Sequence, residues 1–170
     1  MALRPQDILV VLKLAIQGEI TWTYSALAHD LGMSPSEVHA AARRATHAGL
    51  LDPDGRRVNR KALLEFLIHG LRYVFAPERG GLTRGFVTAY AAPPLASRIA
   101  QGNDPPPVWP DPDGPVRGET FRPLYRSAPR AAQRDLKLYE CLALVDAIRG
   151  GRARERKLAE ECLRSTLGAS

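Results

Sequence analysis

The stretch from residue 34 to residue 47 carries the side chains whose types and spacing could do chemistry. Ser36, His39, Ala40 and Arg43 stand at positions i, i+3, i+4 and i+7, so a helix would place them on one side. Ser, His and Arg side chains hydrogen-bond to base edges or phosphates, and a small Ala packs against a thymine methyl group. The pattern predicts contact with double-stranded DNA, with a solvated polar helix face as the alternative interpretation.

Three neighbouring polar residues complete the expected DNA-binding set of this stretch. Ser34 stands just before the helix, while Arg44 and His47 stand further along it. We expect Arg44 and His47 to contact the sugar-phosphate backbone, where contacts position the protein without reading sequence.

Two short helices joined by a tight turn are needed to present these side chains. Residues 24–31 repeat apolar residues at helical spacing, and Gly32 follows where a left-handed helix end favours glycine. Ser34 and Pro35 begin the second helix, and Glu37 at its third position completes a capping box. The predicted inward face of that helix is small and apolar: Val38, Ala41, Ala42 and Ala45. This arrangement is typical of a helix-turn-helix, whose second helix enters the DNA major groove.

A short β-hairpin is predicted directly after the second helix. Pro53-Asp54-Gly55 is a strong turn signal, and residues 50–51 and 57–58 can pair on either side of it. Four cations cluster there and would follow the phosphate backbone or the minor groove: Arg56, Arg57, Arg60 and Lys61. Asp52 and Asp54 reduce the local charge, so an ordinary charged hairpin is the alternative.

Residues 5–60 resemble the winged helix-turn-helix regulators of bacteria, in the broad group that includes the MarR-like proteins. Three segments carry the resemblance: Tyr24-Ser25-Ala26-Leu27-Ala28, Leu31-Gly32-Met33-Ser34-Pro35-Ser36-Glu37-Val38 and Ala48-Gly49-Leu50-Leu51. It covers about a third of the chain and implies a DNA-binding, usually dimeric, transcriptional regulator. It also implies base contacts by four residues: Ser36, His39, Ala40 and Arg43. The sequence departs from the group in its short hairpin and at Ala42 and Ala45, where a bulkier aliphatic residue is usual.

Composition narrows the classes of partner and compartment. A net charge of +6 over 170 residues favours a polyanionic partner. Aromatic residues make up only 6% of the chain, which argues against stacking platforms for single-stranded nucleic acid. No apolar run is long enough to span a membrane and the N-terminus lacks the pattern of a signal peptide, so we expect a cytoplasmic protein without membrane contact.

Catalytic and metal-binding patterns are not found in the sequence. Cys141 and Cys162 stand beside apolar residues without a close Cys/His pair, so we expect buried free thiols and no metal. The four His residues are scattered, and neither a nucleophile elbow nor a telling carboxylate pair is present. We therefore expect neither an enzyme nor a cofactor.

Two further helices are predicted around the helix-turn-helix. Residues 5–17 carry a broad apolar face and end at Gly18. Residues 59–75 read as one helix that Asn59 caps and that is apolar on more than one side. His69 stands among these apolar residues, so we expect a hydrogen-bonded core or interface histidine.

The second half of the chain has a different composition. The Gly- and Arg-containing run 78–85 is either an anion or effector site or a plain surface loop, and residues 82–92 predict an extended segment or loop. Ten of the 14 prolines stand between residues 93 and 129, which disfavours regular helix, yet interspersed apolar residues indicate that part of this stretch is ordered against the core. Residues 135–149 and 152–167 predict a helical hairpin too small for a core of its own. It should pack on the winged domain, a second subunit or a partner protein.

The sequence as a whole predicts a mostly α-helical chain in three parts. Residues 1–92 form a winged helix-turn-helix domain with a short hairpin wing and an added fourth helix, residues 93–134 a Pro-rich extended segment, and residues 135–170 a C-terminal helical hairpin. We expect a sequence-specific transcriptional regulator, a homodimeric repressor that binds double-stranded DNA through helix 34–48. The alternative is an antitoxin or adaptor whose C-terminal half binds a partner protein.

Overall fold

The first half of the chain is helical in the structure, a computed structural model that describes residues 1–168. Its helices are α1 Pro5–Gln17, α2 Tyr24–Leu31, α3 Pro35–His47, α4 Arg60–His69 and α5 Leu71–Val74. The bounds of α1, α2 and α3 confirm the sequence prediction, because caps and apolar spacing set them locally. The single helix predicted over residues 59–75 is wrong. Gly70 interrupts it, and His69 is exposed, so it is not a core histidine.

A three-stranded sheet follows, where the sequence predicted an extended or loop segment and a Pro-rich stretch. The strands are β1 Arg79–Val87, β2 Pro107–Pro110 and β3 Val116–Phe121. β1 pairs antiparallel with both other strands, and β2 and β3 pair in parallel, so the three close on one another as a small barrel. Two 3-10 turns, Ala89–Ala91 and Leu95–Ser97, lie between β1 and β2.

Glycine makes this tight closure possible. A Cβ atom at Gly85 would overlap the backbone carbonyl of Trp109, and one at Gly118 would overlap that of Pro106. Most of the run 78–85 therefore belongs to a strand, neither a surface loop nor an open nest of amides, and five of its residues pair with β3. The glycine pattern reflects close approach of backbones within the sheet.

Three helices follow within the described residues: α6 Ala128–Arg134, α7 Leu136–Gly150 and α8 Ala153–Leu167. α7 and α8 confirm the predicted hairpin. α6 corrects the expectation that residues 93–134 hold no regular helix. Pro129 stands in the first turn of α6, where the missing N–H would have no partner within the helix in any case.

The core is built around α7, which packs against α1, α4, α5, α6 and α8. A buried carboxylate joins it to the sheet. Asp146 accepts hydrogen bonds from Thr88 Oγ1 at 2.7 Å and Trp109 Nε1 at 2.8 Å, and pairs with Arg149 at 2.9 Å. Most of the buried apolar residues of the described chain form one cluster that runs from Ile8 to Leu167. The division of the chain at residues 93 and 135 stays a prediction, and positions 169–170 of its last part lie outside the described residues.

Candidate nucleic-acid interface

The turn between α2 and α3 has the geometry that the sequence predicts. Gly32 adopts φ +65° and ψ +35°, the left-handed conformation that glycine reaches at least cost. The Ser34 hydroxyl accepts a hydrogen bond from the Glu37 amide at 3.2 Å, and the Glu37 carboxylate accepts one from the Ser34 amide at 2.7 Å. These reciprocal bonds fix where α3 begins and how it leaves the turn.

Small residues hold α3 close to its neighbours. α3 packs against α1 and α2, and its four predicted inward residues, Val38, Ala41, Ala42 and Ala45, are all buried. Three of the four are alanines, so the helix axes can approach more closely than leucines would permit. The inner face of α3 is therefore fully used by the fold, and only its outer side is available to a partner.

The outer side of α3 presents the four residues predicted to contact base edges, which we call the reading row. Ser36, His39 and Arg43 are exposed and Ala40 is half-buried. The ring of Tyr24 stands edge-on to that of His39, with centroids 5.0 Å apart, and supports it from α2. Ser34 and His47 are also exposed, at the two ends of the same helix. The structure thus brings together six of the seven residues predicted on this helix.

Arg44, the seventh, is directed inward. Its Nε and Nη2 atoms donate to the two carboxylate oxygens of Asp7 at 2.8 and 2.7 Å, and the Asp7 side chain is 0% exposed. Hydrogen bonding to Asp7 raises the pKa of the Arg44 guanidinium. Arg44 therefore joins α3 to α1. The expectation that it contacts the sugar-phosphate backbone of DNA is wrong, because its guanidinium is bound to Asp7.

The hairpin after α3 is shorter than predicted. Leu51 and Val58 form a single bridge rather than two strands, with the Asp52 amide donating to the Arg57 carbonyl at 2.8 Å. Asp52 organises the turn, because its carboxylate accepts from the backbone amides of Arg56 and Arg57 at 2.9 and 3.1 Å. These two hydrogen bonds lower the pKa of Asp52, and the one from the Arg57 amide has the larger effect.

The four cations predicted near this hairpin have different roles. Arg56 lies over the ring of Trp22, 4.6 Å from its centroid, and Trp22 Nε1 donates to the Arg56 carbonyl at 3.2 Å. Arg60 donates to the carbonyls of Ala15 and Leu167, at the ends of α1 and α8. Arg57 and Lys61 are exposed, and within residues 1–168 their side chains make no hydrogen bond or ion pair. These two cations are the best placed to meet phosphates.

A second basic element, missed in the sequence, lies beside the N-terminus of α3. Tyr125 donates to Glu37 Oε1 at 2.9 Å, and Arg126 Nη2 lies 3.3 Å from the same oxygen. The backbone hydrogen bond from Ser34 and the Tyr125 hydroxyl lower the pKa of Glu37. Arg134 donates to the His29 carbonyl at 3.2 Å, at the other side of the turn. The four-residue spacing of arginines at 126, 130 and 134 was the available signal, hidden within a stretch dominated by proline.

One cleft on the surface has mixed charge. It measures about 590 Å³ and lies among β1, β3 and the start of α8. Arg79 and Arg152 line it together with three carboxylates, those of Asp104, Glu119 and Glu155. Arg79 is already directed at Glu119, 3.7 Å away, and at the Gly150 carbonyl. Opposite charges in such proximity do not favour a simple anion in this cleft.

Two further structural findings concern residues 1–168. They contain no group of three or more His, Cys, Asp or Glu side chains placed to hold a metal ion. None of their helices has the length and hydropathy required to cross a membrane. Comparison of the chain with protein families, with curated proteins and with solved structures gives no match.

Proposed function

We propose that the chain is a sequence-specific transcriptional regulator that binds double-stranded DNA and inserts α3 into the major groove. The observation that carries the proposal is the contrast between the two sides of α3. Its inner side is buried against α1 and α2, and its outer side presents Ser36, His39, Ala40 and Arg43. A helix of 13 residues, roughly 20 Å long, offers that row to several base pairs.

In this proposal the remaining cations hold the helix on the duplex. Arg57 and Lys61 neutralise phosphates beside the C-terminal end of α3, and Ser34 lies at its N-terminal end. A dimer would place two α3 helices about one turn of DNA apart, roughly 34 Å, and would repress by occluding a promoter. Base contacts then select the site, and phosphate contacts fix the register.

The alternative function is an antitoxin or adaptor whose C-terminal half binds a partner protein. Within the described chain, α7 is covered by α1, α4, α5, α6 and α8. The apolar surface of the hairpin therefore gives no separate reason to require a partner protein. For this reason we retain DNA binding as the single proposed function.

Fluorescence anisotropy tests the proposal directly. The purified protein is titrated with DNA from upstream of its own gene and with scrambled DNA of equal length, at two salt concentrations. We expect selective binding that persists at the higher salt. Weak binding that is equal on both DNAs and disappears with salt would refute sequence-specific reading, because it indicates phosphate contact alone.

Two substitutions separate the roles of the side chains. Arg43→Ala should cost about 1–3 kcal/mol on the specific site and little on scrambled DNA, since a base contact is lost. Arg57→Ala should weaken binding to both DNAs alike. Arg154→Ala, an exposed arginine on α8, is the matched control and should change neither. Equal effects of Arg43→Ala and Arg57→Ala would contradict the assignment.

A further inference from the structure

Three arginines follow one another at intervals of four residues beside α3. We call Arg126, Arg130 and Arg134 the α6 arginine row; the first precedes α6 and the other two lie on it. All three are exposed, and the Arg126 side chain is 78% exposed. The opposite face of α6 is buried through three alanines: Ala128, Ala131 and Ala132. The row is therefore directed to solvent by the packing of α6 on α7 and α2.

Contacts at both ends place the row along the α2–α3 turn. Arg126 reaches Glu37 in the first turn of α3, and Arg134 reaches the His29 carbonyl near the end of α2. Between them, a Cβ at Gly32 would lie 3.4 Å from the Cβ of Ser127, so α6 begins directly over the turn. The row thus lies at the N-terminal end of α3, while the hairpin cations lie at its C-terminal end.

We propose that the α6 arginine row binds DNA phosphates on the groove edge next to the N-terminus of α3. This inference rests on the proposed function and adds a second phosphate contact to it. A helix-turn-helix places the N-terminal residues of its second helix at the base edges, and the major groove is only about 12 Å wide. Phosphates must therefore pass close to any group that flanks this helix end.

The members of the row have separate roles. Arg126 neutralises Glu37, whose carboxylate would otherwise repel the phosphates beside α3. Arg130 and Arg134 bind the phosphates themselves, because a planar guanidinium matches two phosphate oxygens. Asp30 is the exposed charge of opposite sign on the neighbouring helix. The surface retains a net positive charge after these pairings.

The test compares two variants with equal loss of charge. Arg130→Gln/Arg134→Gln removes two cations from the row, and Arg154→Gln/Lys157→Gln removes two exposed cations from α8. Both are titrated with specific and scrambled DNA over a series of salt concentrations. For the row variant we expect weaker binding to both DNAs. The negative slope of log affinity against log salt should become shallower by about 1.8, since each phosphate contact contributes about 0.9 to its magnitude. The α8 variant should keep the wild-type slope.

The outcomes distinguish this inference from the proposed function. Wild-type protein that binds neither DNA overturns both. Wild-type protein that binds while the two double variants have the same slope overturns the phosphate role of the row alone. Arg130→Gln by itself should make the negative slope shallower by about 0.9. Within residues 1–168 the Arg130 side chain makes no hydrogen bond or ion pair, so this single variant keeps the test valid if the double variant unfolds.

Discussion

The same substitution should have different effects at the two adjacent arginines of α3: at Arg44 it should lower stability, and at Arg43 it should weaken DNA binding. Arg44 is bound to a carboxylate that is 0% exposed, while Arg43 is exposed on the reading row. Arg44→Met removes the guanidinium and leaves the Asp7 carboxylate buried, with only the Arg4 amide donating to it at 2.9 Å. Arg43→Met removes a solvated cation, and its loss should hardly change the free energy of unfolding.

The expected magnitude follows from the burial of the pair. Breaking a buried ion pair by removing one partner costs about 3–5 kcal/mol, because the other charge stays desolvated. The Arg44 side chain is 13% exposed, so water can partly replace it and we expect the lower value, about 3 kcal/mol. That is a large share of the roughly 5–15 kcal/mol by which a domain is stable. Arg43→Met should cost less than about 0.5 kcal/mol.

Urea denaturation monitored by circular dichroism measures both free energies of unfolding. A third variant, Asp7→Asn/Arg44→Met, replaces the stranded charge by a neutral amide and should recover at least half of the loss. In DNA titrations the order of the two single variants should be reversed. Without denaturant, and at a temperature where both are folded, Arg43→Met should bind DNA more weakly than Arg44→Met. If Arg44→Met were no more destabilising than Arg43→Met, the assignment of Arg44 to the fold would be refuted.

Two further predictions concern the sheet and the end of α3. Gly85→Ala should destabilise the protein by about 1–3 kcal/mol or more, because the new Cβ meets the Trp109 carbonyl, whereas Gly81→Ala on the same strand has open space and should change little by the same urea assay. The pKa of Glu37 is lowered by its bonds to Ser34 and Tyr125, so its contribution to stability is present above the unfolded pKa of about 4.3 and is lost as pH falls through the lower folded value. Glu37→Gln should flatten the decline of stability at acid pH, and an unchanged pH profile would contradict that account.

The start and end of each early helix could be predicted because their signals are local. The capping box at Ser34 and Glu37, the left-handed Gly32 and the apolar spacing of α1 act within a few residues of one another. The exposed side of α3 follows from the same periodicity, since the positions that are not buried must face outward. The sequence therefore determined where the reading row lies and which side chains compose it.

The sheet could not be predicted because its signals are weak and its pairings distant. β2 has only four residues and begins and ends with proline, and the glycines of β1 resemble a loop. Each of these segments becomes a strand only because β1, β2 and β3 close on one another. α6 was concealed in the same way, because the surrounding prolines masked a short alanine face.

The roles of individual arginines were decided only by the tertiary structure. Arg44 and Asp7 are 37 positions apart, and Arg126 and Glu37 are 89 positions apart, so no local pattern relates them. A guanidinium has the same appearance in a sequence whether it faces a phosphate or a buried carboxylate. The sequence determines which charges the chain carries and on which face of a helix each charged residue lies. Packing between distant segments decides which of those charges are neutralised internally and which remain for a partner, because desolvation and pairing depend on distance in space.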